Sequence, residues 1–217
     1  MFGRPEDDDP ASMFARAYLE AGQAFEESDV GRIANVLREN LDLNLIPHQV
    51  RICCLGVGEG IEALALRKVF PDAEIILGVD TELPTRHGLD CIKRAGAKFE
   101  CADAGNMEKI VELLGDQQPD LVICRNPNIY RVVRGKELVL SGFEDERASI
   151  LGGWARIMTA LRRQLLVTTY FAKDRDFLAE FMKSIGIDPI IGESAYENPV
   201  PEFDRWGMKT DGYILKV

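Results

Sequence analysis

The residues with a chemistry to argue fall into three features, each about one helix and one strand from the next. The first is Gly56-Val57-Gly58-Glu59-Gly60, directly after the apolar run Val50 to Leu55 and before a helical pattern. Glycines in a strand-to-helix turn let the chain turn tightly and let a ligand approach the amides at the helix start. The dinucleotide fingerprint would need glycine at position 61, which is Ile61, and Glu59 would set a carboxylate against a pyrophosphate. A ligand without phosphates suits this turn better. The second feature is Asp80 in Gly78-Val79-Asp80, at the end of an apolar run. An acid there can accept both hydroxyl protons of a ribose diol, or simply cap the next segment. The third is Asp103 in Cys101-Ala102-Asp103-Ala104, which can accept from an adenine amino group or serve as a turn residue. Gly56 to Asp80 is 24 positions and Asp80 to Asp103 is 23, so all three features return to one sheet edge. Together they describe a pocket for a nucleoside without phosphates.

The elements that must position these residues follow from hydrophobic period. Phe14, Ala17, Tyr18, Ala21 and Phe25 predict an amphipathic helix from Ala11 to about Glu27. Ser28-Asp29 has the chemistry to cap a second helix bearing Ile33, Val36 and Leu37. Strands are expected at Val50 to Leu55, Ile75 to Val79, Lys98 to Ala102, Leu121 to Cys124 and Leu165 to Tyr170. Helices are expected between them at Ile61 to Val69, Pro84 to Ala95, Glu108 to Leu114 and Glu144 to Leu161, the last interrupted by Gly152-Gly153. Arg175 to Ser184 closes the helical series, and strands near Pro189 to Glu193 and Gly212 to Val217 end the chain. The alternation predicts an α/β fold, a doubly wound and mostly parallel sheet with helices on both faces. The last two strands share a loop rather than a crossover, which permits an antiparallel pair. The expected organisation is a tail over 1–10, a helical segment over 11–48 and one Rossmann-like domain over 49–217.

Five segments, ICCLGVGEG, ILGVDTE, KFECADA, DLVICRNPNIY and the closing GYILKV, resemble those of the class I S-adenosylmethionine-dependent methyltransferases. The resemblance covers roughly Val50 to Val217. It implies a seven-stranded sheet with its last strand antiparallel, S-adenosyl-L-methionine as cofactor, and methyl transfer as the activity. It further implies cofactor contacts from Gly56, Val57, Gly58, Glu59, Gly60, Asp80, Thr81, Asp103, Ala104 and Arg125. Family members often carry an acid two positions before the first glycine; here that residue is Cys54, which shifts the hold on the ammonium group to backbone carbonyls. Asn126-Pro127-Asn128-Ile129-Tyr130 is similar to the (Asp/Asn)-Pro-Pro-(aromatic) element of amino-methylating enzymes, without the second proline and with Tyr130 displaced by one. On that likeness Asn126 and Tyr130 stand beside the reactive methyl. The other reading is a proline-ordered loop with Tyr130 as packing.

The composition bounds the partners. The 217 residues carry 26 basic and 36 acidic side chains, a net charge of −10. Such a surface repels phosphate backbones, so duplex DNA is not expected as a partner. Arg125, Arg131, Arg134 and Lys136 form a local basic cluster that reads as a solvated face or as a patch for structured RNA. The expected acceptors are a small molecule first, a protein side chain second and RNA third. A non-catalytic cofactor-binding module of the same fold is the alternative, and a dinucleotide oxidoreductase a distant third. Substrate choice is expected in Met13 to Asn40, Arg131 to Gly142 and Tyr196 to Met208, the last a lid or a packed hairpin loop. No apolar stretch reaches the ~18 to 20 residues of a membrane helix, and the acidic Met1 to Pro10 does not read as a secretory signal. A soluble, cytoplasmic protein is expected. Five cysteines form no CxxC pair and only His48 and His87 add imidazoles, so no metal site is expected; Cys53, Cys54 and Cys124 read as reduced core residues.

Overall fold

Residues 26–58, 60–133, 137–194 and 212–217 are described by a computed structural model of the chain. The short apolar runs become strands because β-branched and aliphatic residues on both faces suit a sheet covered on both sides. They are β1 (Arg51–Leu55), β2 (Ile75–Asp80), β3 (Lys98–Cys101), β4 (Leu121–Arg125), β5 (Tyr130–Val133), β6 (Glu137–Leu140), β7 (Gln164–Thr169), β8 (Ile190–Glu193) and β9 (Tyr213–Lys216). Seven of them form one sheet in the order β3-β2-β1-β4-β7-β9-β8. The pairs among β3, β2, β1, β4 and β7 are parallel, while β9 runs antiparallel to both β7 and β8. The expected doubly wound, mostly parallel sheet with an antiparallel last strand is therefore present. Its order reverses between β1 and β4, and ligand crevices in open sheets form outside the strand ends at such a point.

Alternation along each strand divides two cores. Ile52 and Cys54 of β1 face one layer with Ile76, Leu66 and Ile92, and Cys53 and Leu55 face the other with Val79, Trp154 and Met182. The helices over these layers are α1 (26–40), α2 (Ile61–Val69), α3 (Arg86–Arg94), α4 (Met107–Leu113), α5 (Glu144–Ala160) and α6 (Ala172–Ser184).

Three elements differ from expectation. Helix α1 is already formed at Glu26 and runs through Ser28 and Asp29, so these residues do not cap it. Most of the expected helix before it, Ala11 to about Glu27, lies outside the described residues. Helix α5 is continuous through Gly152-Gly153, because those glycines serve packing rather than a break. A Cβ on Gly152 would stand 2.7 Å from the Phe181 ring of α6, and one on Gly153 2.5 Å from the Met107 methyl of α4. Finally, β5 and β6 pair antiparallel as a separate two-stranded sheet within the segment taken as a substrate-choosing flank. Tyr196 to Met208 lies outside the described residues.

Candidate functional site

The C-terminal edge of the sheet carries the site. Gly56 leaves β1 with its amide donating to the Val79 carbonyl at 2.8 Å, which bends the chain back over β2. Asp80 ends β2 and fixes the turn from below: its Oδ2 accepts from the Gly58 amide at 3.1 Å and its Oδ1 from the Glu82 amide at 3.3 Å. Asp103 follows β3 and accepts from the Gly105 amide at 2.7 Å, the turn role foreseen for it, while its neighbour Ala104 is held by the Trp154 indole N–H at 3.0 Å. Beside them opens a cavity of about 890 Å³.

The three glycines of the turn do different work. All have positive φ, +69° at Gly56, +48° at Gly58 and +75° at Gly60, a region that side-chain-bearing residues disfavour. Around Gly56 and Gly58 a Cβ would meet nothing within 4 Å among the described residues, and both line the cavity. At Gly60 a Cβ would stand 2.8 Å from the Gly88 carbonyl and 2.8 Å from Ile92 Cγ1. Gly60 therefore lets α3 pack against the turn, and the first two glycines face the cavity. Val57 is fully buried with its side chain over Gly78, so it holds the turn from behind. Thr81, Asp103 and Ala104 line the cavity, and Glu59 lies outside the described residues.

Two acids that sequence reasoning did not assign to the site complete this wall. Asp29 of α1 and Glu62 of α2 are buried, and both line the cavity. Arg125, at the end of β4, reaches Glu62 Oε1 at 2.8 Å and lies 3.7 Å from Asp29 Oδ1; Arg32 pairs with the same Asp29 oxygen. Asp29 Oδ2 has no hydrogen-bond partner among the described residues. The expected basic cluster thus divides: Arg125 is a buried ion-pair partner rather than part of a solvated face, Arg131 is exposed, and Arg134 and Lys136 lie outside the described residues. The signal for Asp29 was present in the period, since it precedes Ile33, Val36 and Leu37 on one helix stripe; Glu62 stands likewise four residues before Leu66. A charge on an apolar stripe has to find a buried partner or a ligand.

After β4 the chain enters the Asn126-Pro127-Asn128 loop, which also lines the cavity. Asn126 and Asn128 both have positive φ, +52° and +53°, tolerated because asparagine visits the left-handed region more readily than most residues. The loop is clamped by the Asn126 amide on the Thr168 carbonyl at 2.7 Å and by the Arg147 guanidinium on the Asn128 carbonyl. Asn126 Oδ1 is buried without a hydrogen-bond partner among the described residues. Tyr130 does not line the cavity. Its amide donates to Asp174 Oδ1 at 2.8 Å and its ring packs against the second core, with Lys173 Nζ 5.8 Å from the ring centroid. The aromatic residues that do line the cavity are Phe143 and Tyr170, the latter just after β7.

Buried titratable groups limit the chemistry. Burial pushes the Cys124 thiol at the cavity wall up to about 12, so it is no thiolate nucleophile at neutral pH. Burial also raises the Asp174 carboxyl to about 7, against the Tyr130 amide and the Arg147 charge that lower it. Cys53 and Cys54 are buried as expected, and both thiols are pushed up, chiefly by burial. The cavity is lined by the carboxylates of Asp29, Glu62, Asp80, Glu82, Asp103 and Glu146 against the guanidiniums of Arg125 and Arg147. It favours a cation and disfavours a phosphate.

No family model matches the chain, and no curated protein sequence does. Solved structures do. The cyclopropane-fatty-acyl-phospholipid synthase-like protein from Lactobacillus casei matches with a TM-score of 0.57 at 10% identity, over 89% of this chain and 90% of that one. Fibrillarin of Methanococcus jannaschii, a pre-rRNA processing protein, matches with 0.52 at 13% identity, over 79% and 67%. Aeropyrum pernix fibrillarin, solved with natively bound S-adenosyl-L-methionine, matches with 0.51 at 17% identity, over 84% and 72%. The likeness is one of fold: this chain has the Rossmann-like architecture of those proteins.

Proposed function

We propose that the chain is an S-adenosylmethionine-dependent methyltransferase acting on a small molecule or a protein side chain. The observation that carries this reading is the acid-lined cavity at the glycine turn, six carboxylates against two guanidiniums, at the strand ends where the sheet order reverses. A sulfonium and an ammonium on one nucleoside ligand suit that wall, and a dinucleotide does not. The chain's own residues fit such a ligand at four points. Gly56 and Gly58 leave space for it, Asp80 stands where a ribose diol would be held, Asp103-Ala104 borders the adenine position with Thr81 nearby, and Asp29 Oδ2, without a hydrogen-bond partner among the described residues, would take an ammonium. Asp29 thereby takes the part of the acid missing at Cys54. Val57 and Gly60 hold the turn, Glu59 contributes by resemblance alone, and Arg125 acts through Glu62 and Asp29.

Bound there, S-adenosylmethionine supplies an electrophilic methyl group. The residues around it have to orient a nucleophile, since such transfer depends on positioning and needs no covalent enzyme intermediate. Asn126, on the loop that lines the cavity and with Oδ1 unpartnered among the described residues, is the acceptor for the N–H or O–H of that nucleophile. Tyr130 anchors the loop through Asp174, and Tyr170 borders the acceptor space. No helix among the described residues is long and apolar enough to cross a membrane. Free cysteines and the acidic balance favour the cytoplasm and disfavour duplex DNA, with RNA behind protein and small molecules. Tritiated methyl transfer into a cell extract tests the reading: label in a metabolite or protein fraction supports it, and none despite measured cofactor binding makes the chain a binding module.

A further inference from the structure

We infer that Glu26, His87 and Cys91 form a binding site for a divalent transition metal, zinc above all, which fastens α1 to α3. His87 and Cys91 are four residues apart on α3 and so share one helix face. Glu26, at the start of the described part of α1, reaches across to both. Cys91 Sγ lies 3.5 Å from Glu26 Oε2 and 3.5 Å from His87 Nε2, and His87 Nε2 lies 3.3 Å from Glu26 Oε2. Of these three distances, 3.3 Å from His87 to Glu26 is long for an N–H···O hydrogen bond, ordinarily about 2.9 to 3.0 Å, whereas 3.5 Å is ordinary for a thiol donor. As edges of a coordination tetrahedron they fit. Zinc bonds of about 2.3 Å to sulfur, about 2.05 Å to nitrogen and about 2.0 Å to oxygen give edges of about 3.5, 3.6 and 3.3 Å for S···O, S···N and N···O.

The donor set agrees with the geometry. One thiolate, one imidazole and one carboxylate suit a borderline-soft ion better than magnesium or calcium, which take oxygen alone. The Glu26 carboxylate and, once its proton has passed to solvent, the Cys91 thiolate bring two negative charges to the ion, beside the Arg94 cation that pairs with Glu26. Arg94 grips the Glu26 carboxylate at both oxygens, Oε1 closely and the ligating Oε2 at 3.4 Å, which fixes its orientation toward His87 and Cys91. Glu26 and Cys91 are buried and His87 is 46% exposed. Sequence reading misses this cluster because the acid comes from a different helix, more than sixty residues upstream of His87. The position gives the metal a consequence for the neighbouring cavity. Helix α1 also carries Asp29 to the cavity wall, and α3 packs on Gly60 beside Cys91.

Cobalt is the probe that tests this, because its thiolate charge-transfer band reports the sulfur directly. The 217-residue chain, stripped with chelator, is titrated with Co²⁺ and then with Zn²⁺. The expected result is one equivalent of cobalt with a thiolate charge-transfer band and the strong visible bands of a four-coordinate ion, all displaced by zinc. Cys91→Ser and His87→Ala lose that spectrum, and Cys101→Ser, which alters the one exposed thiol among the described residues, retains it. His87→Ala removes a half-exposed side chain, so a folded variant is expected, and zinc should raise the melting temperature of the wild type but not of this variant. No charge-transfer band, or a band that survives Cys91→Ser or vanishes in Cys101→Ser, overturns the assignment. Binding of S-adenosylmethionine is read in a separate titration and does not enter this outcome.

Discussion

Replacing Gly60 and Gly58 in turn by alanine separates the two tasks of the glycine turn. Both positions have positive φ, so each substitution costs about 1 to 2 kcal/mol of backbone strain. Only at Gly60 does the new methyl collide, at 2.8 Å, with a backbone carbonyl and with Ile92, neither of which is the far end of a flexible side chain. Overpacking of this kind adds about 1 to 3 kcal/mol, for a total of about 2 to 5 kcal/mol. In a chain of this length that lowers the melting temperature by roughly 4 to 20 °C, against roughly 2 to 8 °C for Gly58→Ala. Ligand affinity reverses the order. At Gly58 the methyl enters ligand space and should weaken S-adenosylmethionine binding by about tenfold, some 1.4 kcal/mol, or more. Thermal melts and calorimetric titrations of the two variants give both readings. Equal melting temperatures for Gly60→Ala and Gly58→Ala would refute the claim that α3 fills the Cβ space at Gly60.

Arg125→Met leaves Glu62 and Asp29 buried with one guanidinium fewer, and should destabilise the protein by about 3 to 5 kcal/mol in urea melts. Adding Glu62→Gln should recover part of that loss, and strict additivity of the two changes would contradict the pairing. For Asp174 the folded pKa of about 7 lies above the usual ~3.9, so the native state holds the extra proton between those values. Stability should therefore fall as pH rises from about 4 to about 7. Asp174→Asn keeps an acceptor for the Tyr130 amide and should flatten that fall, melting higher than wild type at pH 8; parallel profiles for the two proteins would show that Asp174 does not carry it. A gel shift at about 0.15 M salt, where charges are screened beyond ~8 Å, should show no submicromolar retention of duplex DNA. Retention that is lost on Arg131→Glu would reverse the ranking of acceptors.

The sheet was legible in the sequence because its evidence is local. Ile52 to Leu55 and Leu121 to Cys124 are continuous apolar runs, and each ends in a glycine or a polar residue that must lie at the strand end. Gly56, Asp80 and Asp103 could be brought to one edge for the same reason, since one helix and one strand separate each pair. The buried ion pairs could not, because Asp29, Glu62 and Arg125 lie on three elements and meet only through the tertiary fold. Glycine pairs misled for a related cause: in α5 the two glycines admit Phe181 and Met107, and nothing in the helix itself reveals those neighbours. The β5–β6 hairpin was hidden by strands of four residues, too short for alternation to stand out. Tyr130 is a site residue only by likeness to the (Asp/Asn)-Pro-Pro-(aromatic) element, and the anchor at Asp174 forty-four positions later sets where it goes.

Isothermal titration with S-adenosylmethionine and S-adenosylhomocysteine bears most directly on the proposed function. The expected result is one molecule bound per chain, with Asp80→Ala weakening binding by about 1.5 to 3 kcal/mol, the range for hydrogen bonds to a charged group. No heat at millimolar ligand from a protein that melts cooperatively, or binding unchanged by Asp80→Ala, would contradict it.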